Sequence, residues 1–221
     1  MDKEEFITEL KKDNIMLSSY QLDQLKKYYQ LLIEWNEKIN LTRITEEHSV
    51  YLKHFYDSLT LSKVIDLNKE LKICDIGTGA GFPGIVLKIA FPNLKITLVD
   101  ALLKRVKFLN VVIKELNLSD IVAIHSRAED YVKFHQKEFD VVTSRAVSRL
   151  NNLINYSIPL LNENGSFIPM KANCEDEIKE ILPILKRKKL KIEKIEEFNL
   201  PIENSHRTII KIVKESKISL K

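Results

Sequence analysis

Apolar residues recur at helical spacing along the first third of the chain. Leu17-Ser18-Ser19 offers an N-cap, and the apolar side chains that follow lie three or four residues apart. A second helix is predicted from near residue 46 to residue 65. Because no strand-like alternation interrupts this stretch, residues 1–68 are expected to form a helical N-terminal extension. The apolar positions of the first helix are Leu22, Leu25, Tyr28, Tyr29, Leu32, Ile33 and Ile39.

After Leu71 the pattern changes to short apolar runs that alternate with helical periods. This alternation predicts an α/β domain over residues 69–221, with a mostly parallel sheet covered by helices on both faces. The last two strand-like runs are separated only by a turn-rich segment, so they are expected to form an antiparallel pair. Strands are predicted at 71–76, 95–99, 121–125, 139–143, 165–170, 190–198 and 208–213, and helices at 83–91, 103–116, 150–161 and 175–186.

Composition narrows the class of protein without naming a function. The 221 residues, 44% hydrophobic and 30% charged, suit one globular domain with an appendage. Cys74 and Cys174 match no metal-ligand spacing, so a buried reduced thiol and no metal are expected. Residues 1–12 mix acids and bases, and no apolar run is long enough to span a membrane, which favours a cytoplasmic protein. The net charge of +4 permits a polyanionic partner but does not require one.

Four of the five glycines lie within eight residues, in a loop that follows a predicted strand and opens a helix. Such a loop lets a ligand lie against the main chain at the carboxyl end of the sheet. Gly79-x-Gly81-x-x-Gly84 matches the dinucleotide pattern, with Asp100 about 20 residues further on. Asp75 would repel a pyrophosphate, however, and suits the ammonium and sulfonium of S-adenosylmethionine. The methyl donor is therefore favoured over a nicotinamide cofactor, and a tight turn without a ligand is the remaining alternative.

Polar residues follow the next strands at the same edge of the sheet. Asp100 is placed to hold a ribose or to cap a helix. The segment 126–130 is placed to border an adenine or simply to start a helix. Arg145, after the fourth strand, is either a fixed cation beside the transfer site or a surface salt-bridging residue. The Asn/Asp-Pro-Pro-aromatic turn of many amino-group methyltransferases is missing from this stretch, which disfavours an amine on a base as the acceptor.

Several segments together resemble the RsmG family, also called GidB, of 16S ribosomal RNA guanine-N7 methyltransferases. The similarity covers nearly the whole chain, and the Trp-Asn…Asn-Leu-Thr and Gly-Phe-Pro-Gly pieces are specific in combination. One departure is visible, because the family usually has Lys-Gly where this chain has Lys171-Ala172. The matching segments are Leu32 to Thr42, His54-Phe55-Tyr56-Asp57-Ser58-Leu59, Asp75 to Gly84, Lys104-Arg105-x-x-Phe108-Leu109, Ser144-Arg145-Ala146 and His206-Arg207.

The resemblance implies a class I S-adenosylmethionine-dependent methyltransferase fold and a partner in 16S ribosomal RNA or the small ribosomal subunit. Residue by residue, it places the methyl donor against Gly77, Phe82, Ala128, Glu129 and Arg145. The loop and strand-end arguments above add Asp75, Gly79 and Asp100. A methyltransferase acting on a small molecule or a protein, and a NAD-dependent oxidoreductase, stay open as alternatives at this point.

Guanine N7 has an in-plane lone pair and no proton at neutral pH, so its methylation needs no general base. Catalysis then rests on alignment of the reacting atoms. Arginine or lysine commonly donates to guanine O6 and N7; here N7 must stay free, and Arg145 and Lys171 are the candidates to donate to O6. Candidate contacts to the RNA backbone, each weighed against an ordinary charged surface, are Lys53, His54, Lys104, Arg105, Lys107 and Arg207.

Overall fold

The fold is built on one seven-stranded sheet. A computed structural model describes residues 1–145 and 147–215; Ala146, part of the Ser144-Arg145-Ala146 segment, and residues 216–221 lie outside the described residues. The strand order is β3-β2-β1-β4-β5-β7-β6, and among these strands β7 alone runs in the opposite direction to the other six. The strands are β1 (Lys72–Ile76), β2 (Lys95–Asp100), β3 (Ile121–His125), β4 (Phe139–Arg145), β5 (Leu161–Lys171), β6 (Leu190–Asn199) and β7 (His206–Lys214).

The helices comprise two long N-terminal ones, a composite segment and the crossovers of the sheet. The composite segment spans residues 47–63 and changes register three times: α3 (Glu47–Val50), a π-helix (Tyr51–Tyr56), α4 (Asp57–Leu59) and a 3₁₀ turn (Thr60–Lys63). The others are α1 (Lys3–Lys12), α2 (Ser19–Ile39), α5 (Gly84–Ala90), α6 (Leu103–Glu115), α7 (Ala128–Phe134), α8 (Leu150–Ser157) and α9 (Glu175–Lys188).

The predicted parallel sheet with its antiparallel C-terminal pair is confirmed. Three helical expectations were incomplete or wrong. The helix predicted from near residue 46 to residue 65 is the composite segment and not one regular α-helix. Helix α1 was not predicted, although Asp2 and Glu5 form a capping box and Phe6 and Leu10 are buried one turn apart. The helix predicted to reach residue 161 ends at Ser157, and a short 3₁₀ turn then leads into a strand that begins four residues earlier than expected.

Two apolar clusters cover the two faces of the sheet. Alternate residues of β1 supply both, with Ile73 in one cluster and Cys74 in the other. The first cluster is continuous from Phe6 and Tyr28 of the N-terminal helices to Leu98 and Phe108 of the sheet domain. The N-terminal helices therefore share a core with the sheet, and the boundary between residues 68 and 69 stays a prediction from sequence.

Three expected absences concern the described residues only. Both cysteines are buried and free, as the sequence indicated for Cys74. No helix in residues 1–145 or 147–215 is long and apolar enough to cross a bilayer. The same residues contain no group of three or more side chains able to ligate a metal ion.

Candidate functional site

A cleft opens at the carboxyl ends of the parallel strands, where the rule for open α/β sheets places a ligand. Its larger part, here called the main cleft, has a volume of about 840 Å³, and an adjoining side pocket has about 390 Å³. The segment 47–63 and the start of β7 complete the wall of the main cleft. Residues that line both cavities are Gly77, Asp100, Ala101 and Val147.

The glycine loop after β1 turns its bare main chain towards this cleft. Gly77 and Gly79 have φ of +68° and +62°, a region that L side chains rarely occupy. A Cβ on Gly77 would lie 2.7 Å from the side chain of Val147. A Cβ on Gly79 would meet no described protein atom closer than the Gly77 carbonyl at 4.0 Å, so Gly79 borders open space. A ligand can therefore lie directly against the backbone at Gly79.

The other two loop glycines face protein and not the cleft. A Cβ on Gly81 would lie 2.6 Å from the Tyr28 hydroxyl of α2, and one on Gly84 would lie 2.2 Å from Leu98 of β2. Gly84 thus allows α5 to pack closely on the sheet. Gly81 is covered by the N-terminal helices and is not available to a pyrophosphate. This packing removes the middle glycine from the dinucleotide interpretation.

Asp75 fixes the loop from beneath. Its side chain is fully buried, and Oδ2 accepts hydrogen bonds from Thr78 Oγ1 at 2.7 Å and Gly84 N at 2.9 Å. Oδ1 has no hydrogen-bond partner among the described residues. Burial raises the pKa of Asp75 to about 6, although the two hydrogen bonds act in the opposite direction. The geometry therefore favours a role for this carboxylate in holding the loop over direct contact with the ammonium or sulfonium of a ligand.

Asp100, the last residue of β2, organises the rim between the two cavities. Its Oδ2 accepts from Gly79 N at 2.9 Å and from Arg105 Nη1 at 3.3 Å, and its Oδ1 accepts from Leu102 N at 2.9 Å. It therefore ties the glycine loop to the start of α6. The carboxylate also lines both cavities, so the ribose-binding and helix-start interpretations are compatible in one residue.

Arg145 ends β4 and is locked onto the composite helical segment. Its Nη1 donates to the Lys53 carbonyl at 2.7 Å and to Asp57 Oδ2 at 3.0 Å, while Nη2 lies 3.0 Å from His54 Nδ1. The guanidinium lies 5.2 Å from the ring centroid of Phe82. The arginine is thus a largely buried, fixed cation that lines the main cleft. Asp57 was not among the sequence candidates for the site; the signal was its place in the His54-Phe55-Tyr56-Asp57-Ser58-Leu59 segment that resembles the family.

His54 is a neutral part of this network. Burial and the nearby Arg145 lower the pKa of His54 to about 3. Nδ1 lies 3.0 Å from Arg145 Nη2 and 3.2 Å from the Lys53 carbonyl. Because arginine can only donate, the shorter contact makes Nδ1 an acceptor, and Nε2 carries the proton and faces Thr42 Oγ1 at 2.9 Å. The ring stacks on Phe82 with centroids 4.3 Å apart. The proposal that His54 acts as a cation on the RNA backbone is therefore wrong.

Lys171 lines the main cleft at the end of β5, but its ammonium is already engaged. Nζ donates to the Ser148 carbonyl at 2.7 Å and lies 3.0 Å from the Glu177 carboxylate. Glu177 also accepts from Leu150 N at 2.7 Å, so it braces α8 as well. The alanine after Lys171 lines the cleft too, which means that this departure from the family pattern lies at the site.

The side pocket contains the residues that follow β3. Ala128 and Glu129 lie in the first turn of α7, so the segment 126–130 both starts a helix and borders a cavity. A hydrogen bond to Glu129 raises the pKa of Tyr156, which also lines this pocket. Phe82, by contrast, lies in the main cleft, where its ring is largely covered by His54 and Tyr28.

The cationic candidates divide into paired and unpaired groups. Lys53 pairs with Glu203 at 2.8 Å, Arg105 with Asp100, and Arg207 with Asp57 at 3.0 Å. Lys104 and Lys107 are exposed on α6 and have no ion pair within the described residues. Only the paired cations line the main cleft; the exposed lysines are at its outer side, on the helix that begins beside it.

Comparison with known proteins gives a consistent result. The family model described as "GidB: rRNA small subunit methyltransferase G" matches residues 21–210. The chain is 47% identical over 219 residues to Ribosomal RNA small subunit methyltransferase G of Bacillus licheniformis, covering 98% of this chain and 92% of the relative. The protein of the same name from Geobacillus sp. is 48% identical over 217 residues, with 97% and 91% coverage.

Solved structures support the fold at much lower identity. A SAM-dependent methyltransferase from Aquifex aeolicus has a TM-score of 0.55 at 15% identity, covering 76% of this chain and 94% of its own. Pyrococcus horikoshii TYW2, solved in complex with MeSAdo, has a TM-score of 0.57 at 13% identity, covering 71% and 48%. The sheet is thus arranged as in these enzymes.

Proposed function

The chain belongs to the GidB family, the rRNA small subunit methyltransferases G, and we propose that it transfers a methyl group from S-adenosylmethionine to N7 of a guanine in 16S ribosomal RNA. Its enzyme class, an rRNA methyltransferase of the class I fold, follows from the family. The substrate atom, the donor and the residues that serve each are the proposal. Because its substrate is 16S ribosomal RNA or the small subunit, we place its action in the cytoplasm.

The single observation that supports the donor most strongly is the contrast among the loop glycines. Gly79 leaves open space above an uncovered main chain, while Gly81 is closed off by Tyr28. A methyl donor made of an adenosine part and an amino-acid part needs such a backbone surface between two cavities, with acidic side chains beside it. Asp100 lines both cavities and Glu129 lines the side pocket, and they would hold the ribose and border the adenine.

When bound, the donor supplies an electrophilic methyl group on a positively charged sulfur. Guanine N7 needs no deprotonation to accept it, and no carboxylate or imidazole of the main cleft is required as a base. His54 is consistent with this chemistry, because both of its ring nitrogens are engaged by Arg145 and Thr42. What remains for the protein is to fix orientation, which can supply about 7–11 kcal/mol of the barrier.

Arg145 and Lys171 are the proposed donors to guanine O6. Three of the five N–H groups of Arg145 are engaged by Lys53, Asp57 and His54, which leaves two that no described residue occupies. Lys171 has one N–H beyond its bonds to Ser148 and Glu177. Both side chains can therefore donate to a base without giving up the contacts that hold them.

The test is transfer of a labelled methyl group to unmodified 16S ribosomal RNA and to small subunits from a strain lacking the protein. Reduction followed by strand cleavage then reports 7-methylguanine. Arg145→Gln and Lys171→Gln are expected to lower transfer at least tenfold. Their matched controls are Arg149→Gln and Lys194→Gln, whose side chains pair with Glu180 and Glu196 at the surface. Labelled RNA without cleavage at a guanine would reject the N7 assignment, and unlabelled RNA would reject the substrate.

A further inference from the structure

One carboxylate in the wall of the main cleft holds two arginines. Asp57 Oδ2 accepts from Arg145 Nη1 at 3.0 Å, and Asp57 Oδ1 accepts from Arg207 Nε at 3.0 Å. Asp57 is 5% exposed, and the side chains of Arg145 and Arg207 are 13% and 18% exposed. All three line the same cleft. We call this group the Arg–Asp–Arg triad. It joins the composite helical segment to the end of β4 and to the start of β7.

The ion pairs of the main cleft leave the triad with more bases than acids. Five cations line the cleft among the described residues, and four carboxylates form ion pairs with them. Lys53, Arg105 and Lys171 each have a carboxylate of their own, in Glu203, Asp100 and Glu177. Arg145 and Arg207 share a single ion-paired carboxylate, and the buried Asp75 acts on Arg145 only by a longer-range electrostatic interaction. A further anion that accepts hydrogen bonds from both guanidinium groups is therefore favoured in this largely buried place.

Both arginines keep donors free for that anion. Arg207 uses Nε for Asp57 and one Nη1 hydrogen for the His206 carbonyl at 2.8 Å. Three of its N–H groups are then not engaged by any residue that the structure describes, and Arg145 has one more beyond the N–H group that is proposed to donate to guanine O6. Guanidinium groups bind phosphate oxygens through such paired N–H groups, more strongly than they bind a neutral carbonyl.

We propose that the Arg–Asp–Arg triad is a subsite for one phosphate group of the RNA strand, in which Asp57 is a positioning residue that presents Arg145 and Arg207 together. The inference rests on the proposed function for its substrate. Methyl transfer to guanine moves a positive charge from the donor to the base. The two guanidinium groups beside the site oppose that charge, whereas a phosphate bound by the triad compensates it. The RNA strand thereby brings its own counter-charge to the reaction.

The first experiment measures binding without any methyl donor. Unmodified 16S ribosomal RNA is titrated with the full chain over a salt series, for wild type, Arg207→Gln and the surface control Arg149→Gln. Removing one phosphate contact is expected to lower the slope of log K against log salt by about 0.7. The affinity of Arg207→Gln for S-adenosylmethionine, measured by calorimetry, is expected to differ from that of wild type by less than twofold. An unchanged slope would overturn the phosphate subsite. An unchanged slope together with a tenfold lower affinity for S-adenosylmethionine would indicate that the triad binds the carboxylate of the methyl donor instead.

The second experiment separates positioning from folding. Asp57→Asn removes the carboxylate charge, so RNA binding and its salt slope are expected to be retained or increased. The kcat is expected to fall at least tenfold, because the arginines are no longer aligned. Arg207→Lys keeps the charge without the forked geometry, and is expected to keep the slope while kcat falls. If RNA affinity and kcat fall together in both variants, Asp57 has only a structural role and the positioning role is wrong.

The wild-type reaction distinguishes the two levels of the argument. If wild type labels 16S ribosomal RNA but the salt slope ignores Arg207, the subsite fails and the proposed function stands. If wild type labels no ribosomal RNA, the proposed function fails first. Urea unfolding of each variant, followed by the fluorescence of the single tryptophan, Trp35, confirms that the chain is folded in every titration.

Discussion

Tyr28 of α2 anchors the glycine loop, and replacing it by phenylalanine tests how far the N-terminal helices shape the cleft. The Tyr28 hydroxyl donates to the Ala80 carbonyl in the middle of the loop, and the side chain is fully buried. Its ring stacks with Phe55 and lies against Phe82, at centroid distances of 5.6 and 5.5 Å. Tyr28→Phe keeps these ring contacts and removes only the oxygen.

The cost follows from the acceptor that is left behind. A buried carbonyl without its donor costs about 1–3 kcal/mol, which is more than the net value of the lost hydrogen bond. For a chain of this size, 1 kcal/mol lowers Tm by about 2–4 °C, so a decrease of about 2–12 °C is expected. Because the freed carbonyl lies one residue beyond Gly79, S-adenosylmethionine is also expected to bind several-fold more weakly.

Trp35 is the only tryptophan and packs on Phe108 with ring centroids 5.8 Å apart, so its fluorescence reports unfolding of the shared core. The matched control is the neighbouring Tyr29→Phe, whose hydroxyl donates to the Thr45 carbonyl at 3.1 Å in an exposed position. That variant is expected to lose less than about 0.5 kcal/mol. If both variants unfold at the same urea concentration and bind the donor equally well, the anchoring role of Tyr28 is refuted.

Three further predictions concern the buried polar groups and the loop. The pKa of Asp75 is raised to about 6 from 3.8, so the folded state binds the proton more tightly and its stability falls by about 3 kcal/mol as pH rises through this window. Asp75→Asn should lose this pH dependence in urea unfolding between pH 4 and 7. An unchanged pH dependence in the variant would contradict the prediction. The pKa of His54 is lowered to about 3 from 6.5, so the stability of the fold decreases by about 3 kcal/mol as pH falls from 6.5 to 4. The stability of His54→Gln should decrease less over the same range, as measured by the same urea unfolding series. Gly79→Ala should unfold within about 1–2 kcal/mol of wild type yet bind the donor at least tenfold more weakly, whereas Gly81→Ala, with its Cβ 2.6 Å from a buried hydroxyl, should be the more destabilised of the two; the reverse order in unfolding and calorimetry would contradict the assignment of open and closed glycines.

The sequence predicted the sheet because its strands differ in period from its helices. Buried parallel strands such as β1 and β2 appear as short apolar runs, and their ends could be placed within one or two residues. The order of the strands was less accessible. Insertion of β7 between β5 and β6 depends on pairing between distant segments, which no local pattern encodes. Helix α1 was missed because its surface charges hide an apolar stripe of only two fully buried residues.

The candidate site was predictable where chemistry and loop position coincide. Asp100 and Arg145 stand at strand ends, and parallel strands bring their carboxyl ends to one edge, so both could be assigned to the cleft. Asp75 lies at the same edge, but its side chain is on the same face of β1 as Ile73 and is fully buried there. Because both faces of the sheet are covered, the sequence did not show whether this carboxylate reaches the cleft. His54 could not be assigned from sequence as charged or neutral, because its pKa depends on burial beneath Arg145.

The composite helical segment shows why the N-terminal helices belong to the site. In an α-helix the Asp57 N–H would bond the carbonyl of Lys53, four residues back. In the π register it bonds the carbonyls of Leu52 and His54, and the Lys53 carbonyl accepts from Arg145. The same register brings His54 Nδ1 and Asp57 Oδ2 onto that guanidinium. A regular helix with identical residues would lose part of this cradle, so the irregular turn, and not merely its side chains, holds the arginine beside the cleft.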